Sequence, residues 1–241
     1  MDITERQKEI LKAIIKEFME EAEEVGSLSL VQKYDLGVSP ATIRSEMVKL
    51  MDLGLLEKSH ISSGRLPTDQ ALRFYISNVL SNSRLSPLIS IEIRQGIHRD
   101  RFDKDVVTKE MLSILAKETE SLVFLVTDSE IRYSGISNLL KYPEFSDPER
   151  LKIVFSILED DNFLRNLVCK YPNSGTTLLI GEESEIENMS DGAIAFIKVP
   201  FWDSSCTYVG VWGTKRMDYS VVIPVLGEVR DALEQATSGW R

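Results

Sequence analysis

The stretch Val38-Ser39-Pro40-Ala41-Thr42-Ile43-Arg44-Ser45-Glu46-Met47-Val48-Lys49-Leu50 decides how the rest of the chain is read. Ser39 has the side chain of an N-cap, whose oxygen accepts a hydrogen bond from an orphan amide. Pro40 suits the first helical position, where its missing N–H has no intrahelical acceptor anyway. Ile43, Met47 and Leu50 recur at i, i+4 and i+7, so one face of the helix is apolar. Ala41, Thr42, Arg44, Ser45 and Lys49 then point mainly outward, and Gly54 supplies a stop. A helix is slim enough to enter the roughly 12 Å major groove of duplex DNA. There Ala41 and Thr42 suit thymine methyls, Ser45 a donor or an acceptor, and Arg44 guanine or phosphate. Lys49, nearer the helix end, suits a phosphate that fixes register. A solvated surface helix has the same pattern, so the neighbouring elements must arbitrate.

Upstream, Thr4-Glu5-Arg6-Gln7 has the form of a capping box that opens a first helix. Ile10, Leu11, Ile14, Ile15, Phe18 and Met19 line its apolar face, and Gly26 is expected to end it. Ser27 or Ser29 caps a short second helix through Tyr34, and Asp35-Leu36-Gly37-Val38 carries turn chemistry before the third. Downstream, Leu55-Leu56-Glu57-Lys58 reads as a strand and Ser62-Ser63-Gly64-Arg65 as a loop tip. Leu66-Pro67 returns toward a helix capped by Thr68, with Leu72, Phe74, Tyr75, Val79 and Leu80 on its apolar side. Helix, helix, recognition-type helix and hairpin, in that order, is winged helix-turn-helix organisation. A small, flexible tip around Arg65 suits a contact in or beside the minor groove, with His60 adding a polar contact. Taken alone, Arg65 is an ordinary exposed arginine. The candidate DNA-contacting set is Ser39, Pro40, Ala41, Thr42, Arg44, Ser45 and Lys49 on the helix, and His60, Ser62, Ser63, Gly64 and Arg65 on the wing.

Beyond a serine-rich stretch from Asn82 to Pro87 the pattern changes. A helix is expected over 106–119, a compact strand from Ser121 to Thr127, and its hairpin partner from Ile131 to Tyr133. Asp147-Pro148 starts a helix with Leu151, Val154, Phe155 and Leu158 at i, i+3, i+4 and i+7. Strands follow at Thr176–Ile180, Ala193–Val199 and Thr207–Trp212, and a last helix runs from about Ser220 to Gln235. Strands and helices that do not alternate strictly predict an α+β arrangement, an antiparallel sheet with helices packed on it. The expected organisation is a DNA-binding domain over 1–82, a linker or helical connection over 83–105, and a second, α+β domain over 106–241.

The formal net charge of −10 argues at first against nucleic acid, because phosphate binding rests on Lys and Arg. Yet Val25–Arg84 holds seven positive residues against five acids, a net of +2, which leaves −12 on the remainder. Enzymatic patterns are absent. There are two histidines, His60 and His98, and neither a phosphate-binding glycine fingerprint nor a G-x-S-x-G elbow, so no catalytic residue is assigned. Cys169 and Cys206 lie far apart in sequence and match no metal-ligand spacing, and buried free thiols are expected, with no disulfide framework, metal or cofactor. The first residues lack a secretory signal, and the longest apolar runs fall far short of the roughly 20 residues of a membrane span, which points to a cytoplasmic protein.

These motifs resemble those of the HrcA family of heat-inducible transcription repressors. The resemblance rests on Val25-Gly26-Ser27, Val38 to Arg44, Leu53-Gly54-Leu55-Leu56-Glu57, Ser63 to Asp69 and Arg73-Phe74-Tyr75. It continues in Gly135-Ile136-Ser137-Asn138-Leu139-Leu140, Pro143-Glu144-Phe145-Ser146-Asp147, Arg216-Met217-Asp218-Tyr219-Ser220 and Val222-Ile223-Pro224. It implies a GAF-like second domain, a homodimer on an inverted-repeat operator (CIRCE) before chaperone genes, and modulation by the GroEL chaperonin. It also places DNA reading on Ser39 to Lys49 and on the wing around Ser63 to Arg65. Members of that family are longer. The shortfall falls between about Lys117 and Ile131, where the family carries an inserted dimerisation region. Gly213-Thr214 also departs from the family's glycine-proline. The competing class is a ligand-sensing or protein-binding module that uses a winged-helix fold without an operator.

Overall fold

The computed structural model describes residues 3–58, 64–78, 80, 84–160, 162–172, 175–201 and 206–237. Val79 and Asn82, assigned from sequence to a helix and to the start of a linker, lie outside them. The chain divides into two compact units, Met1–Asn82 and Ser83–Arg241.

The first unit contains α1 (Glu5–Glu21), α2 (Ser27–Lys33), α3 (Pro40–Asp52), the antiparallel pair β1 (Leu56–Glu57) and β2 (Leu66–Pro67), and α4 (Asp69–Asn78). The capping box forms at Thr4: its hydroxyl accepts from the Gln7 amide at 3.2 Å, and its own amide donates to Gln7 Oε1 at 2.9 Å. α1 stops at Glu21, short of Gly26. Ala22 takes the left-handed conformation at φ 61° and its amide bonds Phe18 O. The early stop frees Val25 to extend and exchange two backbone hydrogen bonds with Arg65, at 2.9 and 3.0 Å. Neither expected serine caps α2. Gly26 is its N-cap, and the Ser29 hydroxyl instead donates to Glu17 on α1 at 2.9 Å. Glu17, nearly buried, also takes the Lys33 ammonium at 2.7 Å and the Tyr34 hydroxyl at 3.4 Å. Burial pushes this carboxyl up, but Lys33 and Ser29 outweigh it and hold Glu17 below its ordinary value. α1 packs on α3, α4 and β2. Ile10, Leu11, Ile14, Ile15, Leu30, Ile43 and Leu50 are fully enclosed, each contributing about 1.5–3 kcal/mol of burial.

The second unit contains α5 (Pro87–Arg99), α6 (Lys104–Thr119), β3 (Leu122–Val126), β4 (Ile131–Ser134), α7 (Ile136–Leu139) and α8 (Pro148–Glu159). These are followed by α9 (Phe163–Cys169), β5 (Thr177–Ile180), β6 (Gly192–Lys198), β7 (Tyr208–Thr214) and α10 (Tyr219–Thr237). The sheet runs β4-β3-β7-β6-β5 and every pair is antiparallel, so the unit is α+β. Leu122, Phe124 and Val126 on β3 share a core with Ile194, Phe196, Tyr208 and Trp212 and with side chains of α7, α8 and α9. Val123 and Leu125, alternating with them, are equally buried, and α6 packs on the same strand. Cover on both faces explains why β3 is apolar without alternation. Within the stretch read as a connection, α5 buries Ile93 and Ile97 and packs on α6 and α10. Phe155, placed by its spacing on the buried stripe of α8, is 45% exposed, and Ile157 is buried in its place.

Several of the motifs quoted above hold this unit together. Gly135 sits at φ 77°, where a Cβ would lie 2.5 Å from Ser121 O and 2.7 Å from Ala116 Cβ. Asn138 donates from Nδ2 to Ala116 O at 2.9 Å and to Ser121 O at 3.1 Å, tying α7 to the end of α6 and the start of β3. Arg216, with its side chain nearly buried, grips Glu144 through Nε at 2.6 Å and Nη2 at 3.0 Å over the ring of Tyr142. Both cysteines are free thiols, but the expectation that they are buried is corrected. Cys169 is exposed at the end of α9, Cys206 is half-buried just before β7, and their sulfurs lie 3.2 Å apart. Chain separation hid this, because β5 and β6 pair between them and return the chain to α9.

Candidate nucleic-acid interface

Ser39 caps α3 as its sequence implies, its hydroxyl accepting from the Thr42 amide at 3.2 Å and lying 3.0 Å from the Thr42 hydroxyl. Thr42 is therefore half-buried and engaged in the cap. Pro40 occupies the first turn, half-buried. Ile43, Glu46, Met47 and Leu50 face inward. Ala41, Arg44, Ser45 and Lys49 are all exposed, as is Val48 at 46%. Positions 41, 44, 45, 48 and 49 follow the i, i+3, i+4, i+7, i+8 spacing of one helical stripe. Val48 was missed from sequence because an apolar residue in a helical pattern is assigned to the core by default. The signal was there: it lies one position past Met47 and off the Ile43–Met47–Leu50 row.

The two cations on this stripe differ. Among the described residues Arg44 makes no hydrogen bond or ion pair. Lys49 donates to Glu46 Oε1 at 2.9 Å, and Glu46 Oε2 accepts from Gln7 Nε2 at 3.0 Å. The Lys49 ammonium is the largest influence holding the Glu46 carboxyl below its ordinary value, against its burial, with Gln7 assisting. A continuous chain of hydrogen bonds thus runs from the Thr4 amide through Gln7 and Glu46 to Lys49.

On the hairpin, His60, Ser62 and Ser63 lie outside the described residues. Gly64 and Arg65 are half-buried just before β2, on the loop side of the β1–β2 pair, and Arg65 pairs with Val25. A Cβ on Gly64 would come within 2.8–2.9 Å of the Glu24 backbone and Cβ, so only glycine lets the two segments approach. The Arg65 guanidinium donates to Gly64 O at 2.9 Å. Thr68 caps α4 by accepting from the Ala71 amide, and its hydroxyl donates to Gly54 O at 2.7 Å, closing the base of the hairpin on the end of α3. Among the described residues no group of His, Cys, Asp and Glu side chains is arranged to hold a metal ion, and no helix is long and apolar enough to cross a membrane.

The chain matches the family model described as the HrcA protein C-terminal domain over residues 40–223, 184 of its 241 residues. A heat-inducible transcription repressor HrcA of Moorella thermoacetica is 24% identical over 337 aligned positions, covering 98% of this chain and 98% of that protein. Since this chain has 241 residues, about a hundred of those positions stand opposite gaps in it. A heat-inducible transcription repressor HrcA of Clostridioides difficile is 31% identical over 210 positions, covering 82% of this chain and 60% of that one. Among solved structures, one described only as a hypothetical protein superposes with a TM-score of 0.84 at 19% identity, over 99% of both chains, and so shares the fold. With the family model spanning most of its length and a relative above 30% identity over most of it, the chain belongs to the HrcA family.

Proposed function

We propose that this chain is a heat-inducible transcription repressor whose first unit is a winged helix-turn-helix that binds DNA through α3 and the hairpin after it. The observation that carries the reading is the exposed stripe Ala41, Arg44, Ser45, Val48 and Lys49 on a capped helix whose opposite face is buried. Small residues keep that stripe slim, Arg44 is ready for guanine or phosphate, and Ala41 and Val48 suit thymine methyls. Ser39, Pro40 and Thr42 set the helix entry, and Lys49 contributes a phosphate contact tempered by its ion pair with Glu46. The wing around His60, Ser62, Ser63, Gly64 and Arg65 reaches the neighbouring minor groove or backbone.

One such unit rarely makes enough specific contacts alone, so the active form is a homodimer reading two halves of an inverted repeat of the CIRCE type before chaperone genes. The second unit is a GAF-like regulatory domain. In it α6, β3 and β4 follow one another directly across the point where the longer relatives are expected to carry a dimerisation insertion, so this chain dimerises without it. The GroEL chaperonin is the proposed modulator and the cytoplasm the proposed compartment.

The test is fluorescence anisotropy with an inverted-repeat duplex and a scrambled duplex, titrated across ionic strength. Binding that favours the repeat and weakens steeply with salt is expected. Equal, salt-insensitive binding to both, or none, refutes the reading and leaves a protein- or ligand-binding module.

A further inference from the structure

Cys169 and Cys206 are the only cysteines of the chain, and both belong to the second unit. One ends α9, the other stands two residues before β7, and their sulfurs are 3.2 Å apart. We propose that this pair is an oxidation site, closed to an intramolecular disulfide by exchange with a low-molecular-weight disulfide such as glutathione disulfide. Two thiols of otherwise unrelated elements in van der Waals contact need only a small shortening of their separation to bond. Cys169 is exposed and Cys206 half-buried, so the external reagent meets Cys169 first.

The exchange balances without further partners. The Cys169 thiolate attacks one sulfur of the reagent, the reagent's S–S bond breaks, and one glutathione leaves as thiolate and takes a proton from water. Cys206 then loses its proton and attacks the Cys169 sulfur of the mixed disulfide, expelling the second glutathione. Two protein thiols are oxidised by two electrons and the reagent is reduced to two thiols. Loss of hydration and the adjoining Cys206 push the Cys169 thiol up to about 11, against the opposing charges of Arg165 and Lys198, and Tyr208 faces the pair as well. The first step is therefore slow at neutral pH and accelerates as pH rises, because the thiolate is the nucleophile. The closed bond would span the chain from residue 169 to 206, enclosing β5 and β6, and so restrict the unfolded chain.

The experiment incubates the reduced full chain with glutathione disulfide, alkylates it with iodoacetamide after denaturation, and maps peptides by mass spectrometry. The expected result is loss of both alkylatable thiols, one peptide pair linking 169 to 206 within a chain, and a rise of about 5–10 °C in the unfolding midpoint. Cys206→Ser should stop at the mixed disulfide on Cys169. A wild-type chain that also stops there, or that links only to a second chain, overturns the proposal. So does an intramolecular bond that leaves the midpoint unchanged or lower, since that bond would have formed by displacing α9 or β7.

Discussion

Replacing Gly135 by alanine tests whether the Gly135–Asn138 turn is a structural clamp. Two costs follow from its geometry. At φ 77° an L-residue in the left-handed region loses about 1–2 kcal/mol. The new Cβ also lies 2.5 Å from Ser121 O and 2.7 Å from Ala116 Cβ. Both neighbours are buried and one is backbone, so relief requires moving the start of β3 or the end of α6, at about 1–3 kcal/mol. Together the loss is about 2–5 kcal/mol, against a whole-domain stability of about 5–15 kcal/mol. The three tryptophans, Trp202, Trp212 and Trp240, all fall after residue 83, so intrinsic tryptophan fluorescence reports the second unit selectively. In urea the fluorescence midpoint should fall by about 1–2 M with the slope unchanged. Asn138→Ala, which strands the two carbonyls that its amide serves, should cost about 1–3 kcal/mol in the same assay. A Gly135→Ala loss below about 1 kcal/mol would refute the clamp.

The exposed stripe of α3 makes graded predictions. Arg44→Ala should flatten the salt slope of operator binding by about one unit, and Lys49→Ala by less because Glu46 already partners that cation; equal slopes would contradict the difference. Ser45→Arg should change base preference in a competition assay with variant half-sites, and an unaltered preference would place Ser45 outside the groove. Gly64→Ala should lower the thermal midpoint of the first unit and weaken DNA binding together, at about 1–3 kcal/mol of stability, because Glu24 leaves no room for the methyl; normal stability would mean that the Glu24 segment yields. For pH, the carboxyls of Glu17 and Glu46 lie below their ordinary value when folded, so the stability they add is present above the unfolded value near 4.5. It is lost as pH falls from there through the folded values. Acid titration of helicity should show this, and Glu17→Gln should flatten it; an unchanged acid transition in that variant would remove Glu17 from the account.

What was legible in the sequence was mostly local. Thr4 and Gln7, Ser39 and Pro40, Thr68, and Asp147 with Pro148 announce helix starts through bonds that span three or four residues, and each forms where it was read. Apolar rows likewise identify the sheet strands. What failed depends on partners remote in the chain. α1 ends early because Val25 pairs with Arg65, and Ser29 leaves its capping role because Glu17 is opposite. The bridge from Arg65 to Val25 has no local signature. Lys49 looked like an uncommitted cation, although Glu46, three residues earlier, could have raised the question. α9 is two turns long, and the approach of Cys169 to Cys206 emerges once β5 and β6 have paired.

The path from Thr4 to Lys49 ties the first turn of α1 to the outward face of α3. Helix ends open at far lower free energy than the core they flank, and Gln7 stands in the first turn of α1. When that turn frays on warming, Glu46 loses its amide donor while keeping its grip on Lys49. The Glu46–Lys49 pair then loses its anchor to α1 while the hydrophobic layer beneath α3 is still closed, so the Lys49 side chain should gain mobility at temperatures where the fold itself still stands.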